Sequence, residues 1–303
     1  MKILVTGGAG FIGSHITDAY IKAGHEVVII DNLSSGRKDN INPQAKFYEL
    51  DLLDPKVENV LKSENIQAIN HHAAQSSVER SVSNPVNDAN SNIIATLQLL
   101  QLAVTYRIEN FIFASTGGAI YGDQAPVPAS EEAPCNPSSP YAISKLSVEH
   151  YLKFYEKVHN LNCVTLRYSN VFGPRQDPYG ESGVIAIFCN RLIENTAPLI
   201  FGDGKQTRDF VSVFDVVSAN LLALDSDSSG IFNVGTGIET SILSLTETLV
   251  RLSGKNLEIQ FGPPRQGEPR RSAIKYDKFK KHFGWEPNVN FDGVLLETYK
   301  SFA

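Results

Sequence analysis

The sequence predicts an α/β protein in which a doubly wound parallel sheet is followed by a smaller, mixed α/β lobe. In the first half, short runs of apolar, often β-branched residues alternate with longer segments of helical periodicity. This alternation is typical of parallel strands joined by helices on both faces of a sheet. From about Gly173, glycine, proline and aspartate separate shorter elements. We therefore expect a first domain over 1–172, a second over 173–303, and a return to the first near 210–235.

Each predicted element rests on a run of one residue class. Apolar, β-prone residues predict the strands 2–6, 26–30, 47–50, 68–72, 111–114 and 163–166. Apolar residues at helical spacing predict the helices 11–23, 57–63, 92–106 and 141–158. Five prolines between positions 126 and 140 exclude a regular element in that segment.

The composition narrows the class of protein. Of 303 residues, 42% are apolar and 20% are charged, which is ordinary for a folded enzyme and argues against disorder. The formal charge of −6 disfavours a nucleic-acid or anionic-membrane partner, and no apolar run is long enough for a transmembrane helix. Cys135, Cys163 and Cys189 have neither zinc-site nor disulfide spacing. We expect a cytoplasmic protein without a metal.

A glycine-rich turn, GGAGFIG at 7–13, lies between the first predicted strand and the first predicted helix. Glycine permits a sharp turn and the close approach of a pyrophosphate, whose charge meets the helix N-terminus. Asp31 ends the second strand, where a carboxylate can bind the adenosine ribose and would repel a 2′-phosphate. The pattern therefore predicts a Rossmann-type site for NAD rather than NADP, although Arg37 lies nearby. The alternative is a tight turn without a ligand.

Tyr141 and Lys145 lie one helical turn apart on one face of a predicted helix. A nearby ammonium should lower the pKa of the phenol, so that Tyr141 can take a proton from an alcohol. Ser115 and Thr116 end a strand, at the sheet edge where ligands bind, and one of these hydroxyls can relay the proton. Tyr276 has the same spacing to a lysine, but it lies among charges, and we expect a solvated helix face there.

These motifs, with LRYSNVFGPRQ at 166–176, resemble those of the extended short-chain dehydrogenase/reductases. Within that family the chain is most similar to nucleotide-sugar 4-epimerases of the UDP-glucose/UDP-galactose type, over nearly its whole length. The resemblance implies reversible 4-epimerisation of a UDP-hexose through a 4-keto intermediate with tightly held NAD. It also implies Thr116, Tyr141 and Lys145 as the catalytic residues, and a homodimer formed by the helices 92–106 and 141–158.

The family's motifs also imply binding residues at matching positions. Together with the glycine turn and Asp31, the predicted cofactor set is Gly7, Gly10, Phe11, Ile12, Gly13, Asp31, Asn32, Ser35, Gly36, Asp51, Leu52, Ala73, Ala74, Gln75, Asn92, Ser115, Tyr141, Lys145 and Tyr168. The predicted substrate set is Thr116, Tyr141, Asn170, Gly183, Val184, Leu199, Ile200, Phe201, Arg208, Arg265, Glu268 and Ser272. Of these, Arg208 and Arg265 match diphosphate ligands, Glu268 a uridine ribose ligand and 199–201 a uracil frame.

Other activities of the superfamily remain as alternatives. Dehydratases carry Asp-Glu where Gly117 and Gly118 follow Thr116, so dehydration is disfavoured. A nucleotide-sugar decarboxylase, a UDP-glucuronate 4-epimerase and a non-catalytic NAD-binding regulator stay open. Ser272 matches the position that borders the sugar's 2-substituent, which predicts that N-acetyl sugars are accepted unless Arg271 fills that space.

Overall fold

The computed structural model describes residues 1–123, 125–179, 183–226, 228–265, 269–288 and 290–303. In chain order, the strands of these residues are β1 Lys2–Thr6, β2 Glu26–Asp31, β3 Lys46–Glu49, β4 Ala68–His71, β5 Asn110–Thr116, β6 Asn162–Tyr168, β7 Asn170–Phe172, β8 Leu199–Phe201, β9 Thr207–Arg208, β10 Phe210–Ser212, β11 Gly230–Val234, β12 Thr240–Ser241, β13 Gln260–Gly262 and β14 Arg271–Ser272. The helices are α1 Phe11–Lys22, α2 Lys56–Glu64, α3 Val78–Ser83, α4 Pro85–Ala89, α5 Ala95–Thr105, α6 Pro140–His159, α7 Val184–Ile193, α8 Val213–Leu224, α9 Ile242–Ser253, α10 Asp277–Phe283 and α11 Phe291–Lys300.

A seven-stranded parallel sheet has the strand order β11-β6-β5-β4-β1-β2-β3. Alternate residues of β1 bury on opposite faces of this sheet, because side chains along a strand alternate. Ile3 and Val5 pack with α1 and α8, whereas Leu4 packs with α2, α5 and α6. Both faces are therefore covered by helices, which confirms the predicted doubly wound fold. β11 comes from the later part of the chain and pairs with β6.

The later elements form a third core, built from α7, α9 and α11. Its centre includes Phe188, Leu245 and Leu295. Three small sheets accompany it, in the orders β10-β7, β12-β9-β14 and β13-β8. These sheets place short strands beside the carboxyl edge of the large sheet, since β7 directly follows β6.

One predicted helix differs from the structure in a way that concerns the site. In place of a single helix at 92–106, the chain runs through α4, a π-helical segment Asn90–Ile94, and α5. In a π-helical segment each backbone hydrogen bond spans five residues instead of four, and such segments often occur at functional sites. Across the described residues, no helix combines the length and hydropathy that crossing a bilayer requires.

Candidate active site

The glycine turn connects β1 to α1 with little space around its backbone. A Cβ on Gly13 would lie 2.2 Å from the Gly7 carbonyl oxygen, and Gly7 has a φ of +70°. Gly10 is the N-cap of α1 and offers no side-chain hydrogen bond to the first amides, which begin at Phe11 and Ile12. Uncapped amides beside a bare backbone suit an anionic group. The predicted residues of the turn therefore fit the pyrophosphate of a dinucleotide.

Asp31 lies at the end of β2, facing this turn. Its carboxylate accepts hydrogen bonds from the backbone N–H of Ala9, at 3.0 Å, and of Leu33, at 2.8 Å. Burial raises the pKa of Asp31, and the two amide bonds lower it. A Cβ on Gly36 would lie 2.9 Å from this carboxylate. The bare backbone at Gly36 thus leaves room beside the acid for a ribose.

The remaining predicted cofactor residues lie on segments that follow the strands. Asn92, in the π-segment, exchanges two 2.9 Å hydrogen bonds with the backbone of Gln75, which follows β4 and the half-buried Ala73 and Ala74. Asn32 donates to Asp51, at 2.8 Å. Ser35 is exposed and Leu52 half-buried. Tyr168, which also belongs to the predicted cofactor set, ends β6, and its hydroxyl accepts a hydrogen bond from Asn220 Nδ2 at 2.8 Å.

Thr116, Tyr141 and Lys145 come together where β5 ends and α6 begins. The Thr116 hydroxyl lies close enough to the Tyr141 phenol to lower the pKa of that phenol. Lys145 Nζ donates to the Ala114 carbonyl at 2.9 Å and lies 5.9 Å from the centroid of the Tyr141 ring. Ser139 caps α6 by accepting from the Ala142 N–H, which fixes the first helical turn that carries Tyr141. The arrangement places an ionisable oxygen beside a hydroxyl and an ammonium.

Burial dominates the pKa values of this pair. It raises the pKa of Tyr141 to about 12, with a further increase from the charge of Asp88 and a decrease from the Thr116 hydrogen bond. It lowers the pKa of Lys145 to about 8, against the charges of Asp88 and Glu149. The sequence predicts that Lys145 lowers the pKa of Tyr141, whereas in the polypeptide alone desolvation and the charge of Asp88 raise it. A further positive charge in the crevice would favour ionisation of the phenol.

Ser115, the alternative to Thr116, is engaged elsewhere. Its hydroxyl is buried and donates to Glu149 Oε1 at 2.6 Å. Glu149 also pairs with Arg167, whose NH2 lies 2.6 Å from its Oε2. Because Ser115 is bound to this buried ion pair, Thr116 is the hydroxyl that meets Tyr141.

His71, the last residue of β4, and His72, which follows it, lie in packed positions. His71 is buried between the hydroxyls of Thr6 and Thr96, at 2.7 and 2.8 Å. His72 stacks on Tyr168, with its Nε2 3.1 Å from the phenolic oxygen. Burial, followed by the charge of Lys145, lowers the pKa of both imidazoles. They are neutral at physiological pH.

Several of the predicted substrate residues lie on the small sheets. Ser272 in β14 pairs in register with Arg208 in β9. Arg208 donates to the carbonyls of Thr207 and Pro269, both at 2.8 Å. Arg271 is exposed and binds Glu239 through two hydrogen bonds, of 2.9 and 2.5 Å. Arg271 therefore does not occupy the space beside Ser272.

The predicted uracil frame, Leu199–Phe201, forms β8. The guanidinium of Arg265 lies 4.3 Å from the centre of the Phe201 ring, which follows Leu199 and Ile200. Asn170 begins β7 and donates its N–H to the Asp209 carbonyl, at 2.9 Å. The N-cap of α7 is Gly183, directly before Val184. Glu268 lies outside the described residues.

Two buried acids were missed by sequence reasoning. Asp209 follows Arg208 and accepts hydrogen bonds from Thr236, Gly237 and the Ile274 N–H, so it joins three segments of the substrate side. Asp88 lies in α4 beside the catalytic helix. Its spacing of four residues from Asn92 is the one signal in the sequence that could have indicated it.

The prediction for Tyr276 was wrong in part. Its ring is half-buried and meets Trp285 edge-on, with centroids 5.9 Å apart, and α10 begins only at the next residue. Lys280 is exposed as expected and pairs with Glu286. The pair is not part of the crevice that holds Tyr141.

Comparison with known proteins adds a family and solved relatives. A model of the NAD dependent epimerase/dehydratase family matches residues 3–235. The UDP-glucose 4-epimerase of Mycolicibacterium smegmatis is 40% identical over 100% of this chain and 98% of that protein. A crystal structure of UDP-glucose 4-epimerase with UDP-glucose from Thermotoga maritima is 46% identical, with a TM-score of 0.97 over 100% of this chain and 98% of that one. A Thermus thermophilus UDP-glucose 4-epimerase complex with NAD is 42% identical, with a TM-score of 0.94 over 100% and 99% of the two chains.

Proposed function

The chain belongs to the NAD dependent epimerase/dehydratase family, and on that premise we propose that it interconverts UDP-glucose and UDP-galactose at C4, using bound NAD. The observation that carries this proposal is the proximity of Tyr141 to the Thr116 hydroxyl and to the Lys145 ammonium, at the edge of the sheet that carries the glycine turn. A buried phenol with a relay hydroxyl can take a proton from a sugar alcohol and return it.

The residues divide the work of the reaction between them. NAD, when bound, supplies the acceptor and then the donor of hydride at C4, and adds a positive charge to the crevice that favours the phenolate. Tyr141 takes the 4-hydroxyl proton through Thr116, while Lys145 stabilises the ionised oxygen. Arg208 and Arg265 hold the diphosphate while the 4-keto sugar turns, because guanidinium groups suit adjacent phosphates. Tyr141 then returns the proton on the other face.

The deciding experiment is a substrate panel. Purified protein is incubated with UDP-glucose, UDP-galactose, their N-acetyl forms and UDP-glucuronate, and the products are separated. We expect each of the first two sugars to yield the other, with no net release of NADH. Release of CO2 from UDP-glucuronate would instead indicate a decarboxylase, its conversion to UDP-galacturonate a UDP-glucuronate 4-epimerase, and inactivity on all substrates a regulator.

The cofactor is tested without turnover. Protein purified without added nucleotide is denatured, and the released dinucleotide is assayed. We expect NAD, because the buried Asp31 carboxylate would repel a 2′-phosphate. Mainly NADP would contradict the role given to Asp31.

We also propose the division into domains, the dimer and the location. A domain of 1–172 with a return at 210–235 holds NAD, and 173–303 mainly holds the UDP-sugar, which is supported by the pairing of β11 with β6. A homodimer through the helices predicted at 92–106 and 141–158 is supported by the exposed apolar residues Ile94, Ile143 and Phe154. A cytoplasmic location is supported by three cysteines that form no disulfide.

A further inference from the structure

A buried carboxylate lies next to the catalytic helix without an ionic partner. Asp88 is 1% exposed. Its Oδ1 accepts hydrogen bonds from Gln75 Nε2 and Asn92 Nδ2, both at 2.9 Å, and its Oδ2 accepts from Ser144 Oγ at 2.6 Å. All three donors are neutral, and within the described ranges no lysine or arginine forms an ion pair with Asp88. Buried charges are costly unless they are paired, so this acid calls for an explanation.

A buried cation lies next in the chain to the serine that binds Asp88. Lys145 follows Ser144, is 4% exposed, and donates to a neutral carbonyl rather than to an acid. Asp88 therefore binds the residue that directly precedes Lys145 in α6, and both charged side chains are buried. Opposite charges buried in one cluster stabilise each other, and the charge of Asp88 raises the pKa of Lys145.

Each of the other titratable groups around Lys145 either is neutral or forms an ion pair. Glu149, on α6, is neutralised by its ion pair with Arg167. His71 and His72, from the end of β4, are buried and neutral because desolvation lowers their pKa values. Tyr141, on α6, is protonated in the polypeptide alone, because burial raises its pKa to about 12. Of the two acids whose charges raise the pKa of Lys145, Asp88 is the one that forms no ion pair among the described residues.

We propose that Asp88 is a positioning residue that acts through Lys145: its charge keeps the buried lysine protonated, so that an ammonium is present when Tyr141 ionises. The same carboxylate aligns Asn92 and Gln75, which belong to the predicted cofactor side. This inference deepens the proposed epimerase function and rests on it for the meaning of the ammonium. The effect of Asp88 on Lys145 can be tested independently of turnover.

Asp88→Asn removes the charge and keeps the shape. The retained oxygen still accepts from Gln75 and Asn92, while the new amide nitrogen faces Ser144 Oγ, which can rotate to accept. Ser144→Ala is the matched control, since it removes the 2.6 Å hydrogen bond and leaves the charge in place. The two variants therefore separate charge from hydrogen bonding at one site.

The first measurement is an NMR titration of protein labelled with ¹³C at lysine Cε. The Lys145 signal is assigned by its loss in Lys145→Arg. Because a negative charge raises the pKa of a nearby ammonium, Asp88→Asn should move the Lys145 midpoint to lower pH, by about one unit. Ser144→Ala should leave it near the native value. An unchanged midpoint in folded Asp88→Asn, or an equal shift in Ser144→Ala, would overturn the proposal.

The second measurement is the pH profile of kcat/KM with UDP-galactose. Asp88 raises the pKa values of both Tyr141 and Lys145, so its neutralisation should move the acidic and the alkaline limb to lower pH together. A purely structural role would lower the rate with both limbs in place, and that result would overturn the proposal. An enzyme inactive on every UDP-hexose would contradict the proposed function, and the NMR result would still decide the role of Asp88.

Discussion

The phenol oxygen of Tyr141 is the single atom on which the proposed proton transfer depends. Tyr141→Phe keeps the ring and removes the oxygen, so we expect kcat to fall at least about 100-fold while NAD and UDP-galactose still bind. Epimerisation assays, with the bound dinucleotide released and measured, check both parts. Tyr276→Phe is the control, because its ring packing on Trp285 is retained. More than about 10% residual activity in Tyr141→Phe would exclude it as the base.

At the same scale, we expect Ser272 to decide which hexoses fit. Its register with Arg208 places it beside a predicted diphosphate ligand, and the binding of Arg271 to Glu239 leaves its side open. We expect the protein to epimerise UDP-N-acetylglucosamine, and Ser272→Tyr to lose this activity by about 5- to 150-fold relative to UDP-glucose, since overpacking costs about 1–3 kcal/mol. Competition assays with the two sugars give the ratio. A native protein inert towards the N-acetyl sugar would refute the prediction.

At the scale of elements, the ion pair of Glu149 and Arg167 connects α6 to β6. Glu149 also accepts a hydrogen bond from Ser115, which connects α6 to β5. Both side chains are buried, so Arg167→Met leaves an unpaired carboxylate in the core. We expect a loss of about 3–5 kcal/mol in the free energy of unfolding, measured by urea denaturation. Arg251→Met, which breaks an exposed pair with Asp292, should cost about 0–1 kcal/mol. Equal urea midpoints for the two variants would contradict this assignment.

At the scale of the whole molecule, α6 and the segment around α4 present apolar side chains to solvent. Val86 is 70% exposed, and Ile143 and Phe154, on α6, are about half exposed. A large exposed apolar patch indicates an interface. In a symmetric dimer, the same patch of both subunits is buried in that interface. Light scattering at micromolar concentration should therefore give twice the chain mass for the native protein and a monomer for Phe154→Glu. Ile238→Glu, exposed on the other lobe, should remain a dimer, and a monomeric native protein would end the proposal.

The sequence by itself determined the doubly wound sheet, the glycine turn with Asp31, and the family that the chain belongs to. These features depend on local pattern: apolar alternation, glycine at fixed spacing, and an i, i+4 pair on one helix face. Strand ends shifted by at most a few residues, as at β5, because hydrogen bonding with neighbouring strands extends a strand beyond its apolar run.

Only the tertiary structure decided the contacts between distant segments. Ser115 donates a hydrogen bond to the buried Glu149, 34 residues away, and this contact distinguishes it from Thr116. Asp88 accepts a hydrogen bond from Ser144 of the catalytic helix, 56 residues further along the chain. The pKa of Tyr141 was misjudged for the same reason, since helical spacing reveals the nearby lysine but not the depth of burial. Desolvation and buried hydrogen bonds depend on which segments the fold brings together, and a linear pattern of residues does not contain that information.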